Sequence, residues 1–556
     1  MSLTTKHPND ADGKSIAQRW VYFSLSAHRM RGEGWGEVGW PLIAQLRVIW
    51  FLLFAYFIPA ACGSANFSVL KPETFAHYVD RFNTMEDENI TNSISNADSW
   101  NWLQKEIPFF ECPDREVEEM YYFRWWSFRK HLVKTPTGFV ITEFLPPVSH
   151  AGSYNTISCA VGFHIAEGRW LRDPVYLNDY ISFWLRGNDG KAQKHLHKYS
   201  NCFAVAVYDY YLATGDKHLT TNLLAALAND HRAWEAEHQT TNGLFWQYDV
   251  RDGMEESISG SRTNQNLRPT INSYMIANAR AIASIARLAG DKKTAKEFDG
   301  KASSLKKLVQ EKLWNEDAQF FEARRDNGHL ANVREELGYI PWLYELPDDS
   351  AKFSAAWSQL SDPQGFAAPF GITTAERRSP QFRSHGYGTC EWDGAVWPFA
   401  TSQTLGALAN LLRDYKQSSV TSRDYFDAFL TYVHSQHADG KPYLGEYLDE
   451  TTGEWINSPK GRSRYYNHSV FADLLITGVV GLVPRADAMI EINPLLPQET
   501  WNWFCLDGVN YHGRLLTIIW DKDGTRYHRG QGLIVLADGK EIARAGQLSK
   551  LIAKLP

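Results

Sequence analysis

The chain has 556 residues, 44% hydrophobic and 22% charged, the composition of a folded globular protein with room for a large core. Its net charge of -7, from 57 basic and 64 acidic residues, leaves no basic footprint, so no nucleic-acid partner is expected. Aromatic content is high at 14%, with 21 Trp, 26 Tyr and 29 Phe, rings that either fill a helical core or stack on the apolar faces of sugars.

Residues 48–60 (VIWFLLFAYFIPA) form an apolar run followed by the small residues Ala61-Cys62-Gly63-Ser64-Ala65. The run falls short of the roughly 20 residues of an ordinary membrane helix, and its small-residue exit suits a signal-peptide core. Residues 1–65 therefore read as an N-terminal extension with a signal segment around 42–65, although the stretch before the apolar run is longer than a usual signal-peptide start. The expectation is a secreted protein without a stable membrane span, anchored to the membrane if the segment stays uncleaved. Sequons at Asn66, Asn89 and Asn467 are compatible with secretion and glycosylation.

From 66 to 485 the pattern is helical. Ile271, Tyr274, Met275, Ile282 and Ile285 share one helix face, as do Ala295, Phe298, Ala302, Leu305, Val309 and Leu313, and then Leu405, Leu408, Ala409 and Leu412. Two connections, Leu212-Ala213-Thr214-Gly215-Asp216 and Leu288-Ala289-Gly290-Asp291, end a helix on Gly and open the next on a capping Asp. Repeated helical hairpins without a fixed short period predict an (α/α)6 toroid. Residues 486–556 change texture: Met489–Ile492, Leu515–Trp520 and Gly532–Leu536 are short β-type runs with turns at Asp523-Gly524 and Asp538-Gly539, a small C-terminal antiparallel sheet. The six Cys show no metal-binding spacing, so neither a structural zinc nor a cofactor is expected; one pair could form a disulfide, which the sequence does not identify.

Four stretches could carry chemistry. Tyr121–Trp126 (YYFRWW) with His164 offers Trp125 and His164 as sugar contacts, with core packing the competing reading. Asn242-Gly243-Leu244-Phe245-Trp246 runs into Asp252-Gly253-Met254-Glu255-Glu256 and on to Arg262, an acid-rich loop that also reads as a solvated turn. Tyr387 to Gly394, containing Glu391, Trp392 and Asp393, precedes Trp397-Pro398 at a helix start, where acids also suit the helix dipole. Glu446-Tyr447-Leu448-Asp449, then Tyr465-Tyr466-Asn467-His468, closes the set, with a surface turn as the competing reading. Loops that bring two acids to one hollow can supply the proton donor and the proton acceptor of acid–base catalysis.

The order Asp252-Gly253-Met254-Glu255, Arg262, Asn272-Ser273-Tyr274, then Glu391-Trp392-Asp393-Gly394 with Trp397-Pro398, then Glu446-Tyr447, Asp449 and Thr452-Gly453 resembles a clan of glycoside hydrolases. That clan contains the trehalases, family 63 α-glucosidases and mannosylglycerate hydrolases. The resemblance spans about residues 115–485 and implies an (α/α)6 catalytic domain, an inverting mechanism and no metal. It implies Glu255, or its rival Asp252, as general acid and Glu446 as general base. Trp246, Arg262, Tyr387, Glu391, Trp392, Asp393, Trp397, Tyr447, His468, Trp125 and His164 would contact the sugar. The sequence departs from the clan in carrying Glu255 where Asp stands, in Trp392-Asp393-Gly394 replacing a Trp-Gly-Pro triplet, and in lacking most of the large N-terminal β-domain. The expected function is exo-acting release of a sugar from an oligosaccharide or plant-derived glycan. The alternatives are a polysaccharide lyase, using Tyr465-Tyr466, His468 and Arg464, and a non-catalytic carbohydrate-binding protein.

Overall fold

The computed structural model describes residues 67–384, 390–456 and 461–556. The apolar run at 48–60, the sequon at Asn66 and the candidate Tyr387 lie outside the described residues.

Helices dominate up to residue 480, and the sequence patterns that predict them coincide with their buried faces. Helix Pro269–Ala289 buries Ile271, Tyr274, Met275, Ile282 and Ile285, and helix Lys292–Lys312 buries Ala295, Phe298, Ala302, Leu305 and Val309. The two repeated connections behave as their chemistry dictates. Helix Phe203–Thr214 ends at Gly215 (φ 73°), after which the Asp216 carboxylate accepts from the amide of Leu219. Helix Pro269–Ala289 ends at Gly290 (φ 79°), and Asp291 accepts from Thr294 N. Only glycine reaches that left-handed turn without strain, and the aspartate satisfies an amide that the next helix leaves orphaned.

The helices pack in succession. Val161–Gly168 lies against Phe203–Thr214, which lies against Pro269–Ala289; that helix contacts the short Ile340–Leu343 turn, which contacts Pro398–Asp414. Pro398–Asp414 touches Ala472–Leu474, which returns to Val161–Gly168. Longer partners lie outside this series: Lys292–Lys312 against Pro269–Ala289, Ser422–Ser435 against Pro398–Asp414, and Arg115–Lys130 against Ser422–Ser435. Among the described residues no helix is long and apolar enough to cross a membrane.

The C-terminal strands form an antiparallel sheet in the order Phe109–Glu111, Trp503–Tyr511, Arg514–Asp521, Gly532–Ala537, Lys540–Ala545. The apolar run of Gly532–Ala537 is buried throughout, as a strand covered on both faces requires. The sheet is not confined to 486–556, because its edge strand comes from near residue 110, paired Phe109 to Asp507. That strand is three residues long and carries no alternation for a sequence pattern to detect. A second sheet joins Leu482–Val483, Met489–Ile492 and Leu551–Lys554. Cys112, Cys159, Cys202, Cys390 and Cys505 are all free. Asn467 is buried and donates its side-chain amide to Thr142 O at 3.1 Å, which leaves no room for a glycan there, whereas Asn89 is exposed.

Candidate active site

The acid-rich loop leaves a two-residue strand pair, Trp246–Gln247 with Asn266–Leu267, and makes one helical turn over Asp249–Asp252. Gly253 then takes the left-handed conformation (φ 71°) and reverses the chain. Asp252 and Glu255, on either side of the reversal, have different surroundings. Asp252 accepts from Arg268 Nε at 2.8 Å, both side chains fully buried, and so pins the loop to the start of helix Pro269–Ala289. Glu255 lines a cavity of about 390 Å³, and its backbone carbonyl accepts from the amide of Trp392 at 3.3 Å.

That hydrogen bond joins the acid-rich loop to the segment of Glu391, Trp392 and Trp397. Val396 and Leu448 exchange both backbone hydrogen bonds, at 3.0 and 2.9 Å, which joins that segment to the stretch of Glu446 and Tyr447. The Trp397 ring sits between Trp392 (centroids 4.7 Å apart) and Tyr447 (4.8 Å) in a stacked ladder, and Trp397 itself lines the cavity. Glu446 lines the same cavity, accepts from Ser463 Oγ at 2.6 Å and lies 4.0 Å from Arg462 Nη2. Glu391 is fully buried and pairs with Arg383 at 3.0 Å; Arg383 also reaches Asp449 and Glu450.

The deep side of the cavity holds a residue that the sequence reading missed. Glu143 follows strand Gly138–Ile141, and its backbone carbonyl accepts from Asn467 N at 2.9 Å. The Tyr466 hydroxyl bonds to Glu143 Oε1 and lies 2.6 Å from His468 Nδ1, while the His468 ring stacks on Phe399 at 3.7 Å. Nothing in Thr142-Glu143-Phe144 marks it as functional: it lacks both the Gly-rich and the acid-rich texture of the other loops. Burial pushes the Glu143 carboxyl up to about 8, with Glu446 and Glu255 adding and the Tyr466 hydrogen bond opposing. Burial likewise pushes Glu255 up to about 7; Glu446 and Asp249 add to the rise, and Arg262 opposes it. Both carboxyls thus hold protons into the neutral range, and Lys198, Arg251, Arg262 and Arg462 supply cations to the cavity lining.

Of the predicted site residues, Glu255, Glu446, Arg262, Trp397 and His468 line this cavity together. The other described ones are placed elsewhere, each by identifiable packing or pairing. Asp252 is neutralised by Arg268. Trp246 packs on His238 and Tyr248. Trp125 lies in the core against Tyr121 and Phe128. His164 is held between the Tyr180 hydroxyl (3.0 Å) and Asn467 O (2.6 Å), and burial pushes it down to about 4. Trp392 and Tyr447 flank Trp397, while Glu391 and Asp393 are buried away from the described cavity lining.

Residues 153–469 match the family model of the mannosylglycerate hydrolase MGH1-like glycoside hydrolase domain, and 485–544 that of the glycosyl hydrolase family 65 C-terminal domain. A sialidase of known structure is 52% identical, with a TM-score of 0.86 over 87% of this chain and 45% of its own. An uncharacterized protein of Borreliella burgdorferi is 24% identical over 218 residues, 38% of this chain and 44% of that protein. The GH78 family rhamnosidase of Bacillus sp. GL1 is 13% identical, with a TM-score of 0.54 over 74% of this chain and 40% of its own, a likeness of fold alone. The chain spans less than half the length of each of these proteins.

Proposed function

The chain belongs to the family of mannosylglycerate hydrolase MGH1-like glycoside hydrolases, and we propose that it is an exo-acting, inverting glycoside hydrolase that releases a sugar from an oligosaccharide or plant-derived glycan. One observation carries this reading. Glu255 and Glu446 come from loops far apart in sequence, yet both line a single cavity of about 390 Å³.

In the proposed mechanism Glu255, protonated near neutrality, gives its proton to the departing glycosidic oxygen. Glu446, oriented by Ser463, takes a proton from a water on the opposite face of the sugar. An inverting pair stands roughly 6.5–9.5 Å apart, leaving room for that water. Trp397 supplies an apolar platform held by its stacked neighbours. Buried Glu143, Tyr466 and His468 close the deep side, which favours a terminal sugar over a chain passing through. The succession of helix contacts that returns from Ala472–Leu474 to Val161–Gly168 supports reading the scaffold of 66–485 as an (α/α)6 toroid, with 486–556 its β appendage. The secreted location expected from residues 42–65 belongs to the same proposal.

The test is a screen of aryl glycosides and plant oligosaccharides for released monosaccharide, with NMR of the first-formed anomer. Release with inverted configuration supports the reading; release with retention overturns the mechanism. The lyase alternative draws on Tyr466 and His468, whose hydroxyl and Nδ1 lie 2.6 Å apart in the cavity wall. It predicts an unsaturated product that absorbs in the ultraviolet.

A further inference from the structure

We propose that Lys198 and Arg251, held over the ring of Tyr199, form a clamp for a sugar carboxylate, so that the glycan bound in this cavity carries a uronate-class residue. The inference rests on the hydrolase reading and narrows its substrate. All three residues line the cavity that holds Glu255 and Glu446.

The backbone brings the two cations together. Lys198 ends the helical turn Leu196–Lys198, and Arg251 lies in the turn Asp249–Asp252, shortly before Glu255. The amide of Ser200 donates to the carbonyl of Arg251 at 2.9 Å and fastens one turn to the other. Both cations lean on the same ring: Lys198 Nζ stands 5.7 Å, and the Arg251 guanidinium carbon 5.6 Å, from the centroid of Tyr199. Tyr199 is itself buried, which fixes the platform.

Among the described residues neither cation has a carboxylate at ion-pair distance. Lys198 Nζ donates to the carbonyl of His150, and Arg251 has the Tyr199 ring. The other two cations of the lining are already matched, Arg262 by Glu256 at 2.8 Å and Arg462 by Glu446 at 4.0 Å. Two like charges kept together without a counter-charge cost free energy while the cavity is empty. Burial, and then Arg251, hold the Lys198 ammonium below its usual range. An entering anion reverses that cost, because the cations are already oriented for it. Glu143 and Glu255, which keep their protons into the neutral range, add no repulsion.

The shape of the clamp favours a carboxylate. The planar guanidinium of Arg251 can meet both carboxylate oxygens in parallel hydrogen bonds, and the Lys198 ammonium adds a point charge beside them. A sulfate or phosphate ester brings a third charged oxygen, for which the described lining holds no further unmatched cation.

The test reads binding by calorimetry on the full-length chain, so it and the hydrolase reading can fail separately. The probes are disaccharides ending in glucuronate or galacturonate, each paired with its methyl ester, which keeps the shape and removes the charge. At least one acid is expected to bind roughly 10-fold more tightly than its ester, by a margin that shrinks as salt rises. Arg251→Gln and Lys198→Gln are each expected to weaken binding of that acid roughly 10-fold and to leave the ester unchanged. No acid binding more tightly than its ester, an acid preference that survives in both variants, or equally tight binding of galactose 6-sulfate overturns the proposal. An acid preference in a chain that releases no sugar supports the clamp and removes the hydrolase reading; release of neutral sugars without any acid preference does the reverse.

Discussion

The amide of Trp392 donates to the backbone carbonyl of Glu255 at 3.3 Å, so the loop that carries the proposed acid is fastened to the segment that carries the aromatic ladder. The same segment is tied through Val396 to Leu448, two residues beyond Glu446. The two proposed catalytic carboxyls are therefore held by one continuous backbone connection and not by independent loops.

Replacing either carboxyl by its amide removes proton transfer and keeps the shape. Glu255→Gln and Glu446→Gln are each expected to lower kcat by about 10²–10⁴ while leaving thermal unfolding close to that of the parent. The loss at Glu255 should shrink on aryl glycosides whose leaving group needs no proton, and the loss at Glu446 should not. Steady-state kinetics on a series of aryl leaving groups checks both statements.

Because Glu255 acts in its protonated form, kcat/KM is expected to fall as pH rises through about 7, the value to which burial pushes this carboxyl. Arg262 opposes that rise, so Arg262→Gln should move the alkaline limb upward. Arg262 is half exposed, and solvent screening keeps the displacement to a fraction of a pH unit. A pH–rate profile for parent and variant provides the measurement; a downward displacement would contradict the assignment.

Asp252 is predicted to matter for stability and not for proton transfer. Asp252→Asn leaves the buried Arg268 without its partner, a change that costs about 3–5 kcal/mol, whereas Asp252→Asn with Arg268→Met should recover part of the loss. The folded fraction of Asp252→Asn should retain far more activity than Glu255→Gln. Denaturant unfolding together with active-site-normalised rates separates the two roles.

Glu336 is fully buried, accepts from Thr404 Oγ1 at 2.9 Å and is pushed up to about 8 by burial. In the unfolded chain such a carboxyl ionises near about 4.3. The stabilisation of its protonated form is complete below that value and is lost progressively as pH rises to about 8. Glu336→Gln, which cannot ionise, is therefore expected to gain in Tm relative to the parent between those two limits. Calorimetry at both ends checks this; a constant difference in Tm would show that Glu336 is not protonated in the fold.

Much of the scaffold was legible because it follows from neighbours in sequence. Gly215-Asp216 and Gly290-Asp291 end one helix and cap the next through contacts three or four residues long. The buried faces of Pro269–Ala289 and Lys292–Lys312 follow from helical spacing alone. For the same reason the sequence named the acid-bearing loops but could not separate Asp252 from Glu255. The left-handed turn at Gly253 leaves one against Arg268 and the other in the cavity, and only the fold supplies Arg268's burial.

By itself the sequence determined a helical protein with a β-rich end and acids on three loops, because helix periodicity, capping and turn chemistry are short-range forces. Tertiary structure alone decided which side chains share a hollow. It placed Trp125 and His164 in the packed interior and brought Glu143, Cys159 and Tyr466 to the cavity wall. The physical reason is that burial and proximity between distant segments set a carboxyl's charge and a thiol's company, and neither quantity is a property of local sequence.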